Sequence, residues 1–235
     1  MATTSKGLFG SSLSRKYWMA ATGLFLCTFL VGHLLGNLQL IFINGEEGRQ
    51  AFNEYALFMT TFPVIRVLSI LTMVSIILHA VDGIMLARQN RSARPVRYVK
   101  ENQAANASWS SRKMALLGFV TLFFIIIHLR SFWWKMKFGS VPTYTFDGVE
   151  YKDLWTITVT AFEQWWYTAF YVVALIGLAL HLSHGASSAF QSLGVNHPKY
   201  TPLINKTMTA FAWLIPAGFI AVAVFLFVVQ PGQAL

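Results

Sequence analysis

Long apolar stretches and short polar ones alternate along the chain. Apolar runs of about 20 residues or more recur at about 17–43, 63–87, 114–134, 165–190 and 208–230. Each is long enough to cross the ~30 Å hydrocarbon core of a bilayer as a helix. The pattern predicts an all-α integral membrane protein, a five-transmembrane-helix bundle that forms a single membrane domain over residues 1–235. No long hydrophilic segment is left over to build a soluble catalytic domain. The run behind the polar opening MATTSKGLFGSSLSRK is too long for a signal-peptide core and lacks a cleavage site, so it reads as a retained first helix. Pro63 suits the first turn of the second span. The preceding GRQAFNEYALFM is amphipathic and predicts a helix lying at the outer surface or extending that span. Gly139, Pro142 and Asp147–Gly148 are turn signals in the loop before the fourth span.

Composition agrees: 55% of residues are hydrophobic and only 11% charged, which few soluble domains resemble. The net charge of +9 could suggest nucleic acid, but its distribution points elsewhere. Lys6, Arg15 and Lys16, then Arg88, Arg91, Arg94, Arg97, Lys100, Arg112 and Lys113, then Lys199 and Lys206 fall in alternate connections. The other connections hold Glu46, Glu47, Glu54, Asp147, Glu150, Asp153 and Glu163. This is the positive-inside pattern, which puts the N-terminus in the cytoplasm and the C-terminus outside. It implies no nucleic-acid partner; a basic inner face suits an acidic partner subunit or the anionic lipid of the bilayer. Trp18, Trp133, Trp134, Trp165 and Trp166 cluster at span ends as an interfacial belt. The single cysteine, Cys27, excludes an internal disulfide, iron–sulfur ligation or CxxC zinc site and reads as a packing residue.

The histidines carry the chemistry. His33, His79, His128 and His181 fall one on each of the first four spans, His184 follows on the fourth, and His197 lies in an inner loop. An ionisable group in a membrane is costly and usually marks function, the ordinary alternative being a polar side chain bonded between helices. At 1.5 Å per residue, His33 lies about 25 Å from Lys16 and His128 about 22 Å from Lys113, whereas His79 lies only about 14 Å from Arg88, with His181 at a similar height. The result is an outer pair, His33 and His128, and an inner pair, His79 and His181, roughly 10 Å apart along the normal. Two stacked histidine pairs in a four-helix bundle match two bis-histidine haems. A zinc or copper site would bring three or four ligands to one level, and a proton relay needs no pairing. Gly32 and Gly36, Gly83, and Gly177 with Gly185 lie near His33, His79 and His181. They offer room for a flat ring or for close helix packing. His184 has Leu180 and Ser188 as its four-residue neighbours. His181 is therefore the preferred ligand, and His184 is a candidate partner for a haem propionate or another subunit.

The stretches SSLSRKYWMAATGLFLCTFLVGHLLGNLQL, ILHAVDGI, HLRSFWWKMKFG and HLSHGASSAFQSLGVNHPKYTP cover almost the whole chain. In them it resembles the membrane cytochrome b subunit of bacterial succinate dehydrogenase and fumarate reductase, of the five-helix, two-haem type. The resemblance implies a multi-pass subunit of the bacterial cytoplasmic membrane. It would anchor a flavoprotein subunit and an iron–sulfur subunit on the cytoplasmic face and pass electrons between the cluster and a quinone, with menaquinone favoured. The dicarboxylate chemistry would lie on another subunit. The resemblance also implies that His33 and His128 ligate a distal haem b and His79 and His181 a proximal one. It further implies an acid for quinone proton exchange at the outer start of the second span, where Glu54 is the approximate match; the inner face near Ser14 and Arg15 is the other place for a quinone. Two readings compete: a haem-b anchor subunit of another respiratory enzyme, such as a formate dehydrogenase or hydrogenase, and a transporter built on buried histidines.

Overall fold

The computed structural model describes residues 11–43, 45–93 and 108–229. Lys6, Arg94, Arg97, Lys100 and the expected end of the fifth span at residue 230 lie outside them. The first span is helix α1 (Ser12–Phe42), opened by the Ser11 hydroxyl accepting from the Ser14 N–H. Helix α2 (Gly45–Thr61) is the amphipathic segment before the second span, and only Phe62 separates it from α3 (Pro63–Ser92). Pro63 occupies the first turn of α3, where a missing N–H costs nothing. After a single turn, α4 (Trp109–Arg112), the third span runs through α5 (Met114–Ser131) and α6 (Trp133–Phe138). The fourth and fifth spans are α8 (Trp165–Ser192) and α9 (Thr201–Val229). All five are long and apolar enough to cross a membrane, so the chain is a multi-pass membrane protein. The last begins at Thr201 rather than near 208, because the helix keeps its backbone bonds through the polar TPLINKTM turn that hydropathy alone leaves out.

The sequence reading did not foresee a strand. Thr143–Phe146 (β1) and Val149–Lys152 (β2) pair antiparallel around Asp147–Gly148. Both turn residues have positive φ, 47° and 76°. Two consecutive left-handed residues make the turn whose twist suits a hairpin, and Asp-Gly is its favoured pair. A short helix, α7 (Leu154–Phe162), leads from the hairpin to α8.

Helix α8 is the centre of the bundle and packs on α9, α5 and α1. Its seam with α9 is lined by small residues, with Ala174, Ala179, Ala212 and Ala223 all buried. Lipid offers helices no hydrophobic drive to associate, so small residues that allow close approach do the work. The core continues through Phe124, Phe162, Tyr167 and Tyr171 to Trp155 and Val159 on α7. By contrast, Thr72 is the one buried residue on α3, whose Val67, Ile70, Val74 and Ile77 point outward as a lipid-facing surface does. Trp18, Trp134, Trp165 and Trp166 are exposed near span ends, as an interfacial belt requires.

The hairpin end is closed by one buried carboxylate. Asp153 is fully buried and accepts from Arg49 Nε at 3.0 Å, from Asn53 Nδ2 at 3.0 Å, and from the Thr156 N–H, which it caps at the start of α7. Asn53, also buried, returns its carbonyl to the Trp155 N–H. Arg49 and Asn53 sit on α2, so these bonds clamp that helix onto the hairpin and α7. Beside the clamp, α2, α6 and β2 enclose a cleft of about 480 Å³ lined by Asn53, Leu57, Thr60, Lys137, Glu150 and Lys152 among others.

Candidate functional site

Four helices each bring one histidine inward, and the rings meet in twos. His33 on α1 faces His128 on α5 with ring centroids 5.7 Å apart and planes at 83°. His79 on α3 faces His181 on α8 at 6.2 Å and 74°. These are the pairs that helix heights suggested.

The pairs occupy two levels. A Cβ on Gly23 of α1 would lie 3.1 Å from His79 Cε1, and one on Gly118 of α5 would lie 3.7 Å from His181 Cε1. At the other level, the Tyr171 hydroxyl on α8 is 2.9 Å from His128 Nδ1. Gly23 and His33, Gly118 and His128, and Tyr171 and His181 are each ten residues apart. Three helices therefore independently separate the levels by about 15 Å along their axes. That exceeds the roughly 10 Å counted from the apolar run ends. Those ends are soft markers of height: α3 runs on to Ser92, beyond the Arg88 from which His79 was counted.

Each level has its own surroundings. At the hairpin end, Phe29 stacks on His33 at 5.2 Å, Phe219 tilts against the same ring, and Phe124, Phe132 and Tyr171 surround His128. The Asn37 amide gives its good bond to the His33 carbonyl, 2.8 Å, and lies 3.5 Å from the ring nitrogen. At the N-terminal end, His79 Nδ1 lies 3.2 Å from the Thr22 hydroxyl. That hydroxyl already donates to the Trp18 carbonyl at 2.7 Å, so it accepts from His79 Nδ1–H and leaves the His79 Nε2 lone pair bare. His181 Nδ1 is buried without a partner, an open valence of the kind a bound group or water usually fills.

Sequence reasoning passed over several of these groups. Thr22, Tyr171 and Tyr167 look like ordinary helix residues, and Gly23 and Gly118 lie far along the chain from the histidines they touch. Nothing short of the helix pairing reveals them. Asp82, one turn beyond His79, forms an ion pair with Arg15 at 3.5 Å, and Arg15 Nε is buried without a partner. Ser14 is spent on its own helix start, donating to the Ser11 carbonyl. Of the glycines singled out earlier, Gly36 lies under the Tyr55 ring, Gly83 meets Met19, Gly177 meets Val120 and Gly185 meets Met114, while Gly32 faces open space. Four of the five thus serve side-chain packing. His184 is half-buried, belongs to neither ring pair and bonds Ser188 at 3.3 Å. Glu54 is exposed on α2 and accepts from Gln50 at 2.8 Å; its neighbour Asn53, not Glu54, lines the cleft. His197 lies exposed in the connection between α8 and α9.

The donor set is two facing imidazoles per level. Among the described residues no group of three or more His, Cys, Asp or Glu converges, as a bare ion would need. A haem takes four of its six iron ligands from its own ring and asks the protein for two, so two facing imidazoles per level, with the His79 Nε2 lone pair bare and His181 Nδ1 unpartnered, fit it. Compared with protein-family models, curated proteins and solved structures, the chain matches none.

Proposed function

We propose that this chain is a dihaem cytochrome b subunit that anchors a succinate:quinone oxidoreductase, or fumarate reductase, in the bacterial cytoplasmic membrane and carries electrons between its iron–sulfur subunit and a quinone, menaquinone by preference. The observation that carries the reading is the pairing of four intramembrane histidines, in twos, at two levels of one bundle. The haems, when bound, supply one-electron redox chemistry. The chain's own residues do the rest. His33 with His128, and His79 with His181, would hold one haem each. Thr22 accepts from His79 Nδ1 and so presents its Nε2. The phenyl rings of Phe29, Phe124, Phe132 and Phe219 keep water from the hairpin-end pair.

Two levels about 15 Å apart make a route through the membrane rather than one isolated centre. Under the positive-inside orientation the His79–His181 pair is proximal to the flavoprotein and iron–sulfur subunits, and the His33–His128 pair distal, toward the hairpin. In this reading Glu54 exchanges the quinone's protons, and His184 bonds a propionate or a partner.

The test is purification in detergent without added haem. The expected result is about two haems b per polypeptide by pyridine haemochrome, together with co-purifying flavoprotein and iron–sulfur subunits. Two haems with a different set of soluble partners would move the assignment to another respiratory complex. A haem-free chain would favour the histidine transporter.

A further inference from the structure

Inside the bundle, three polar groups stand in line: His128 Nδ1, the Tyr171 hydroxyl at 2.9 Å, and the Tyr167 hydroxyl 3.0 Å beyond it. Both tyrosines are buried among Phe124, Phe162 and Phe170. We propose that Tyr171, backed by Tyr167, is the positioning residue of the hairpin-end site: it holds His128 in the tautomer whose Nε2 is bare and sets the redox potential of that site apart from the other. The inference rests on the haem reading above.

A neutral imidazole carries one N–H. If Tyr171 donated to His128 Nδ1, the proton would sit on Nε2 and the ring could not ligate. The Tyr171 hydroxyl has one hydrogen, and two oxygen or nitrogen neighbours compete for it. Tyr167 offers an acceptor at 3.0 Å, so Tyr171 can donate there and accept from His128. A buried hydroxyl left without an acceptor is unfavourable, so this order holds only while Tyr167 keeps its oxygen. An acceptor on the second nitrogen also makes an imidazole a stronger donor to iron and favours the oxidised metal. The other level is built differently. His79 has a threonine acceptor that is anchored to its own backbone, and His181 Nδ1 has no partner.

The experiment is a potentiometric titration of the purified complex, followed in the haem absorption bands. The hairpin-end component is identified as the one lost in His128→Ala. Tyr171→Phe is expected to keep about two haems per chain, to raise the midpoint potential of the hairpin-end component and to leave the other in place. Tyr167→Phe, which leaves the Tyr171 hydrogen only His128 Nδ1 to bond, should lose the hairpin-end component and keep the other. Thr22→Val should move only the other. An unmoved hairpin-end component in Tyr171→Phe, or equal movement of both, overturns the proposal. If Tyr171→Phe does not assemble, Tyr167→Phe decides it: loss of the hairpin-end component alone supports the proposal, and an unchanged one overturns it. A wild-type chain without haem would refute the haem reading itself, before any variant is compared.

Discussion

At the scale of the residue, the two histidines of HLSH differ in what they meet. His181 turns to His79, while His184 turns along its own helix to Ser188. On the haem reading, His79→Ala should therefore lower the haemochrome ratio from about two to about one, because it removes one of the two imidazoles that would hold that haem. His184→Ala should leave the ratio near two. Loss of one haem in His184→Ala would exchange the roles of the two. This part of the site was legible in the sequence because histidine is rare in lipid and helix rise converts position into height. The groups that hold the rings were not legible, since Thr22 and Tyr171 are ordinary helix residues until their helices are paired. Glu54 carries a separate expectation. A quinone taking two electrons also takes two protons and needs an acid–base group within hydrogen-bond reach. Glu54→Gln should keep both haems and normal succinate oxidation by an artificial acceptor while slowing quinone-linked turnover strongly. Because its carboxylate is exposed and Glu150 lines the neighbouring cleft, Glu150→Gln is the companion variant. Turnover lost there, and kept in Glu54→Gln, would transfer the role.

At the scale of the element, two glycines face histidine edges on neighbouring helices, and only one of them is tight. A Cβ at Gly23 would stand 3.1 Å from His79 Cε1, so Gly23→Val must displace the ring, whereas one at Gly118 would make ordinary contact at 3.7 Å. Gly23→Val should then lose the haem at the His79–His181 level and keep the other, and Gly118→Ala should lose neither; absorption spectra of the two variants check both. The α2–hairpin–α7 clamp makes a different kind of prediction. Burial raises the Asp153 carboxyl, but the bonds from Arg49, Asn53 and Thr156 outweigh it and hold its pKa below the ordinary 3.8. A depressed pKa means that the clamp's contribution is complete above the unfolded value and fades as pH falls through the folded one. Amide exchange over residues 143–162 should thus be flat from pH 7 to about 4 once corrected for intrinsic rates, and should accelerate below that. Asp153→Asn should lose about 1–2 kcal/mol of local protection, since Arg49 gives up its charged bonds to Asp153 and keeps only Glu46 at 3.4 Å, and should show no acid step. Long helices were readable from the chain because hydropathy sets them directly. The strands flanking Asp147–Gly148 were not, although the turn was seen: TYTF and VEYK are four residues each and too short to display a period.

At the scale of the whole molecule, the sides of the membrane must be assigned before proximal and distal mean anything. The bundle itself is nearly indifferent to being turned over, because five apolar helices suit lipid in either sense. What breaks the symmetry is charge in the connections. Arg88, Arg91, Arg112, Lys113, Lys199 and Lys206 flank one end, and the clamp, the hairpin and Glu46, Glu47, Asp147 and Glu150 gather at the other. Arginine and lysine near span ends are retained in the cytoplasm during insertion, so the proposed orientation has the hairpin outside. The proposed soluble subunits take the opposite face by the same argument, since a basic surface can hold an acidic protein whereas the hairpin end offers a carboxylate already bound within the chain. A reporter fused after Arg97 should therefore behave as cytoplasmic and one inserted after Gly148 as external. Protease added to sealed, right-side-out vesicles should cut at the hairpin and spare the 88–113 connection, and inverted vesicles stripped of soluble subunits should show the converse. If the reporters come out reversed, His33 and His128 become the pair next to the iron–sulfur subunit. The quinone would then be sought beside His79, His181 and the Arg15–Asp82 pair, and the order of electron transfer through the two levels would invert with it.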